Sequence, residues 1–309
     1  MKMRIAVTGA SGFVGRAVVR ELLSRGHEVH ALVHSRGVGI DGVRTFPGNI
    51  LDAEALARAM DGCAGAVHLV GIIRERPERG VTFKSIHDEG TATVVAAARR
   101  AGVDRLVHMS ALGARADAPA EYHRTKHAGE QHVRNSGLKW TIFRPSLIHG
   151  PDSEFIQMET ALALKRMAPY LFMPYFGRGL LGRRGTGAVQ PVYVGDVARL
   201  FADAFEKDLA IGRSYDVGGP DRLTWPELHR ICSAVMTGRA RAAVPVPAWA
   251  ALALARIMPA SLLPFGRDEV MMSLEDNVCD IAPLVRDFGF APQPFEQSLR
   301  SYWQDGRGS

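Results

Sequence analysis

Cysteine is scarce. Only Cys63, Cys232 and Cys279 occur in 309 residues, far apart and in no C-x-x-C pattern. That excludes a disulfide framework and a thiolate zinc site, and it points to a reducing compartment. No apolar run reaches the ~20 residues that a membrane span needs. The most apolar stretch, residues 247–259 with 262–265 behind it, is interrupted by Arg256 and Pro259. No basic-aromatic recognition motif accompanies the net charge of +6, so nucleic acid is not an expected partner. Among 11 histidines, His123 and His127 stand one helical turn apart with His132 beyond, but no third ligand is in register and no metal is expected. Internal repeats and low-complexity tracts are also missing.

What is present begins at once. Residues 4–8 form a short β-branched apolar run, and Gly9, Gly12 and Gly15 follow as G-x-x-G-x-x-G. An amphipathic pattern then places Val14, Val18 and Leu22 on one face, and Gly26 stands where a helix would be capped. Strand, glycine turn and helix in this order predict a dinucleotide cradle. Gly9 permits the tight turn, Gly12 lets a pyrophosphate approach the backbone, and Gly15 lets the helix lie close to the sheet. The amides at the helix start, at the positive end of its dipole, face the phosphates.

A second strand over 27–33 ends at His34-Ser35-Arg36. An acidic residue there would hold the ribose 2′-hydroxyl of NAD, whereas an arginine suits the 2′-phosphate of NADP. No acid is present and Arg36 is, with Arg16 as a second positive charge, so NADP(H) is preferred and NAD(H) is the alternative. Further strands are expected at 43–46, 66–70 and 105–109, and Asp52 is the expected cap of a helix carrying Leu56 and Met60 inward. Asn49 and Ile50 fall where an adenine edge would lie, and Gly71 is a close-approach position beside the nucleotide. Residues 83–101 predict one helix ending at Gly102. Alternating strands and helices argue a doubly wound α/β fold with a parallel sheet, whose ligands gather at the carboxyl ends of the strands. Gly9, Arg36, Asn49, Gly71 and Ser110 all stand at such ends.

Tyr122 and Lys126 are four apart, which on a helix puts both on one face. A lysine near a phenol lowers its pKa, and the phenol can then give or take a proton at a carbonyl or alcohol oxygen. Ser110 is expected to bond the same oxygen.

With these residues in place the chain resembles the short-chain dehydrogenase/reductase superfamily in its extended and atypical branch. The motif Thr8-Gly9-x-x-Gly12-Phe13-x-Gly15, the run from His108 to Ala114, Tyr122-x-x-x-Lys126-x-x-Gly129-Glu130 and Phe143-Arg144-Pro145-Ser146 carry the resemblance. Within the branch it is similar to bacterial relatives of the nucleotide-binding accessory subunit of mitochondrial complex I. The stretch from Gln190 to Ala198 and the run from Tyr215 to Pro220 match as well. The resemblance implies Tyr122, Lys126 and Ser110 as the catalytic set. It implies Gly9, Ser11, Gly12, Phe13, Val14, Arg36, Asn49, Ile50, Val70, Gly71, Lys126, Phe143, Pro145 and Leu147 as the cofactor contacts, the last three at the nicotinamide end.

In the second half, residues 152–184 form an insertion rich in Met and aromatic residues. Asp196 is the expected cap of a helix through 204, and Thr224 with Glu227 has the spacing of a capping box. Residues 247–259 are expected as a core helix, or as an apolar helix bordering a greasy substrate or a bilayer surface. The expected organisation is a Rossmann domain over 1–150 and 186–218, with a small, mostly helical lobe over 151–185 and 219–309 and the substrate in the cleft between them. The expected activity is an NADP(H)-dependent oxidoreductase acting on an apolar carbonyl, alcohol or quinone. One alternative is a non-catalytic NADPH-binding protein of a respiratory or quinone-synthesis assembly; another is a nucleotide-sugar epimerase or dehydratase. The chain begins directly with its first strand, so the cytoplasm is the expected compartment, with peripheral contact at the inner face of a membrane.

Overall fold

The computed structural model describes residues 2–258, 263 and 265–304. In chain order it opens with β1 (Arg4–Thr8), α1 (Phe13–Ser24), β2 (Glu28–Val33), β3 (Val43–Pro47), α2 (Ala53–Met60) and β4 (Gly65–His68). Then come α3 (Gly90–Arg100), β5 (Arg105–Met109), α4 (Glu121–Arg134), β6 (Lys139–Pro145), β7 (Ile148–His149) and α5 (Glu154–Ala163). The middle of the chain supplies β8 (Met173–Gly177), β9 (Ala188–Val189), β10 (Val192–Tyr193), α6 (Val194–Asp203) and β11 (Arg213–Val217). Last are β12 (Leu223–Thr224), α7 (Trp225–Thr237), β13 (Ala243–Pro247), α8 (Ala248–Ile257), α9 (Arg267–Ser273), α10 (Ala282–Phe288) and α11 (Phe295–Gln304).

Seven strands form one parallel sheet in the order β3-β2-β1-β4-β5-β6-β11. Its central strands are apolar on both faces because helices cover both: Ile5, Val7, Ala66, Val67, Leu106 and Val107 are all buried. The strand order runs one way from β1 to β3 and the other way from β4 onward. That reversal opens a crevice at the carboxyl ends of β1 and β4, the usual ligand position in such sheets.

The chain forms two compact units. The first comprises residues 1–145, 194–217 and 280–291, and the second comprises 146–193, 218–279 and 292–309. Residues 280–291, assigned by sequence to the small lobe, thus belong with the sheet. The reason is local packing: Phe288 meets Phe143 and Tyr215, and the Tyr215 hydroxyl donates to Asp287 at 2.9 Å. The second unit packs α5, α7 and α11 around Ile156, Leu228, Cys232, Phe295 and Leu299. It also pairs short strands, β7 with β10, β9 with β12 and β8 with β13.

The local signals are expressed as chemistry requires. Asp52 accepts from the amides of Glu54 and Ala55, and Thr224 with Glu227 forms the capping box. Two segments differ from the sequence reading. The helix expected over 83–101 begins as a π-helix, Lys84–Glu89, before α3 continues it. The wider turn is held by the Thr82 and Ser85 hydroxyls and by both nitrogens of His87. Asp196 lies inside the first turn of α6 rather than before it, and its buried carboxylate pairs with Arg199.

Candidate active site

Gly9 has φ +79°, a conformation that suits glycine. The Gly12 amide donates to the Gly9 carbonyl at 3.0 Å and closes the turn. A Cβ on Gly15 would lie 2.0 Å from the Gly9 oxygen and 2.8 Å from the Ala10 Cα, so α1 packs against the turn only because position 15 has no side chain. Gly12 sits at the N-cap of α1 with no side-chain cap, and the first turn contains no acid. The helix therefore presents uncompensated amides at its positive end, the arrangement that takes an anion. Ser11 lies in this loop, where its carbonyl accepts from Arg16 at 2.9 Å. Phe13 and Val14 open the helix. The cradle fits a nucleotide's diphosphate.

Around it the strand ends converge. A Cβ on Gly9 would lie 3.0 Å from the Val70 nitrogen, so β1 and the chain leaving β4 are in close contact. A Cβ on Gly71 would lie 3.0 Å from the Lys126 ammonium. Lys126 Nζ donates to the Met109 carbonyl at 3.1 Å, at the end of β5. The structure thus brings Gly9, Gly12, Val70, Gly71 and Lys126 into one neighbourhood. Tyr122, half-buried, is one turn before Lys126 on α4.

The remaining residues are distributed differently. Arg36 is exposed just after β2. Asn49 turns its side-chain oxygen to the Leu51 amide, and Ile50 is buried against Gly90. Phe143 is wholly buried against Phe201, Tyr215 and Phe288, so its side chain belongs to the core. The Pro145 carbonyl accepts from the Leu112 amide at 3.0 Å, and Leu147 belongs to the second unit. The Ser110 hydroxyl is buried beside the Glu130 carboxylate, which it helps to keep ionised, without a hydrogen bond of standard geometry. Glu130 is also gripped through both oxygens by Arg144, at 2.7 and 2.6 Å. Burial pushes its pKa up, but these bonds outweigh burial and hold it below its ordinary value.

Burial sets the charges. It pushes the Tyr122 phenol up to about 12 and the Lys126 ammonium down to about 8. The lowering of the phenol expected from Lys126 is not found, because desolvation of the ring dominates. Beneath them lies a cluster of histidines that the sequence reading did not assign. His68 is lowered to about 3 and His87 to about 2, in each case first by burial and then by Lys126. His87 accepts from the Ile72 amide at 3.1 Å through Nε2, which leaves Nδ1 as the donor to the Thr125 hydroxyl at 3.0 Å. Its ring meets the Tyr122 ring edge-on at 5.3 Å and stacks on Phe83 at 5.5 Å. The signal for His87 was the helix itself, but no α-helical periodicity places a π-turn.

Residues 9–165 match the family model described as NAD(P)H-binding. The chain is 30% identical over 239 residues to NADH dehydrogenase (ubiquinone) 1 alpha subcomplex subunit 9 of Arabidopsis thaliana; the match covers 73% of this chain but only 56% of the relative. It is 30% identical over 244 residues to a ceramide reductase of Caulobacter vibrioides, covering 77% of this chain and 72% of that one. Among solved structures, a UDP-glucose 4-epimerase of Thermus thermophilus in complex with NAD superposes with a TM-score of 0.76 at 24% identity, over 99% of this chain and 100% of that one.

Proposed function

Because the chain belongs to the NAD(P)H-binding family, we propose that it is an NADP(H)-dependent oxidoreductase that reduces an apolar carbonyl or quinone-like substrate. The supporting observation is the meeting of the Gly9–Gly12–Gly15 cradle with Gly71 and Lys126 at the carboxyl ends of β1, β4 and β5. When bound, the nicotinamide supplies the hydride. The chain's own residues do the rest. The amides at the start of α1 bind the diphosphate, and Arg36 binds the 2′-phosphate. Lys126 orients the nicotinamide ribose. Tyr122, whose phenol at about 12 keeps its proton through neutral pH, donates it to the substrate oxygen. That protonation state favours the reductive direction. His87 and Phe83 hold the Tyr122 ring in place. The name of the Caulobacter relative, a ceramide reductase, supports an apolar substrate.

The test is to follow the absorbance of reduced nicotinamide with a panel of quinones and long-chain ketones. Wild-type protein should consume NADPH with at least one of them. Tyr122→Phe should lose on the order of 10²–10⁴-fold in turnover while binding NADPH unchanged. A Tyr122→Phe protein as active as wild type removes Tyr122 from the chemistry.

A second reading follows from the subunit named in Arabidopsis: the chain holds NADPH as a structural or sensing ligand on a respiratory assembly. Copurifying coenzyme with no consumption across the panel favours it.

A further inference from the structure

We propose that the second unit carries a docking surface for an anionic lipid bilayer, built from α8 and the loop between β8 and β9. Helix α8 is the most apolar of the chain, yet only Ala248 and Ala251 are buried in it. Trp249 is 58% exposed, Leu254 41% and Ile257 81%. The Trp249 indole donates to the Leu180 carbonyl at 3.2 Å, which sets Leu180 and Leu181, 78% and 62% exposed, beside it. The fold fixes this neighbourhood. β8 pairs with β13 so that Gly177 lies opposite Pro247, and a Cβ on Gly182 would come within 2.9 Å of the Pro247 nitrogen. Large aliphatic side chains scattered singly over a surface are ordinary, but a contiguous group marks a contact.

Charge identifies the occupant. Residues 161–195 contain Lys165, Arg166, Arg178, Arg183 and Arg184 and no acid. Residues 228–267 contain Arg230, Arg239, Arg241, Arg256 and Arg267, again with no acid. These two acid-free stretches meet through the β8–β13 pair. They carry more positive charge than the net +6 of the whole chain. The acids nearest this surface are Asp268, Glu269, Glu275 and Asp276, fewer than the ten basic residues. Of these, Glu269 accepts from the Gly266 amide and Asp276 from the Ala188 amide. A second copy of this chain would set one basic face against another. An anionic membrane surface instead satisfies both features, with arginine heads at the phosphates and Trp249 and the leucines in the acyl boundary. Among the described residues no helix is long and apolar enough to cross a membrane.

The test is flotation of the full chain with phosphatidylcholine vesicles, with and without phosphatidylglycerol. Binding should be at least about tenfold stronger to the anionic vesicles and should fall steeply with salt. Arg183→Glu with Arg184→Glu should weaken it by more than about tenfold, since each charge near the surface is worth about fivefold. Leu180→Ser with Leu181→Ser, exposed positions whose change leaves the core intact, should abolish it. Equal binding to neutral and anionic vesicles, or no flotation of well-folded protein, overturns the proposal. So does a dimer that the same substitutions dissolve, which reassigns the surface to self-association. NADPH binding by the same variants should be unchanged, so failure here leaves the coenzyme account standing.

Discussion

The Lys126 ammonium donates to the Met109 carbonyl at 3.1 Å, and this bond ties α4 to the end of β5. It is also a buried positive charge, which burial lowers from 10.5 to about 8. Below pH 8 both folded and unfolded chains carry the proton, and the full cost of burying the charge is present. Between about 8 and 10.5 the unfolded chain holds a proton that the folded chain has shed, so stability rises with pH. The cost relieved is on the order of 3 kcal/mol. Lys126→Met should therefore melt higher than wild type at pH 7, with the gap closing by pH 10.5. A gap that stays constant across the range contradicts the assignment.

Gly15 tests the cradle. A methyl group there must sit 2.0 Å from the Gly9 oxygen, which forces α1 off the turn. Gly15→Ala should destabilise by about 1–3 kcal/mol and lose coenzyme binding, measured by denaturant unfolding and calorimetry. Retention of both would mean that α1 does not rely on this close approach.

Arg36 tests the coenzyme preference. Arg36→Glu replaces an exposed cation with an anion where the 2′-phosphate is expected. NADPH affinity should fall by about tenfold or more, while NADH affinity changes little. Equal losses for the two coenzymes remove Arg36 from phosphate recognition.

Ser110 and Tyr122 separate by their neighbours. The Ser110 hydroxyl lies beside Glu130, in the Arg144 ion pair. Ser110→Ala should lower the melting temperature and cost less than about tenfold in turnover, far below the loss expected of Tyr122→Phe. Comparable losses in the two variants would return Ser110 to the substrate oxygen.

Much of this was legible in the sequence, and the reason is physical. The central strands β1, β4 and β5 are buried on both faces and read as short, mainly apolar runs. The glycine turn, the Asp52 cap and the Thr224–Glu227 box are local chemistry, complete within a few residues. What was not legible depends on distant partners. His87 reaches Ile72 and Thr125 only through a π-turn. Phe143 was expected near the nicotinamide, but residues 280–291 return to bury it under Phe288. Helix α8 has the composition of a core helix, yet only Ala248 and Ala251 are buried, with Leu252 partly so. Composition tells which residues avoid water; only the packing tells whether a protein core takes them.

The most direct test of the account is calorimetric titration of the folded chain with NADPH and with NADH. The account predicts saturable binding of one coenzyme per chain, tighter for NADPH and lost in Gly15→Ala. Flat traces with both coenzymes on well-folded protein would contradict it.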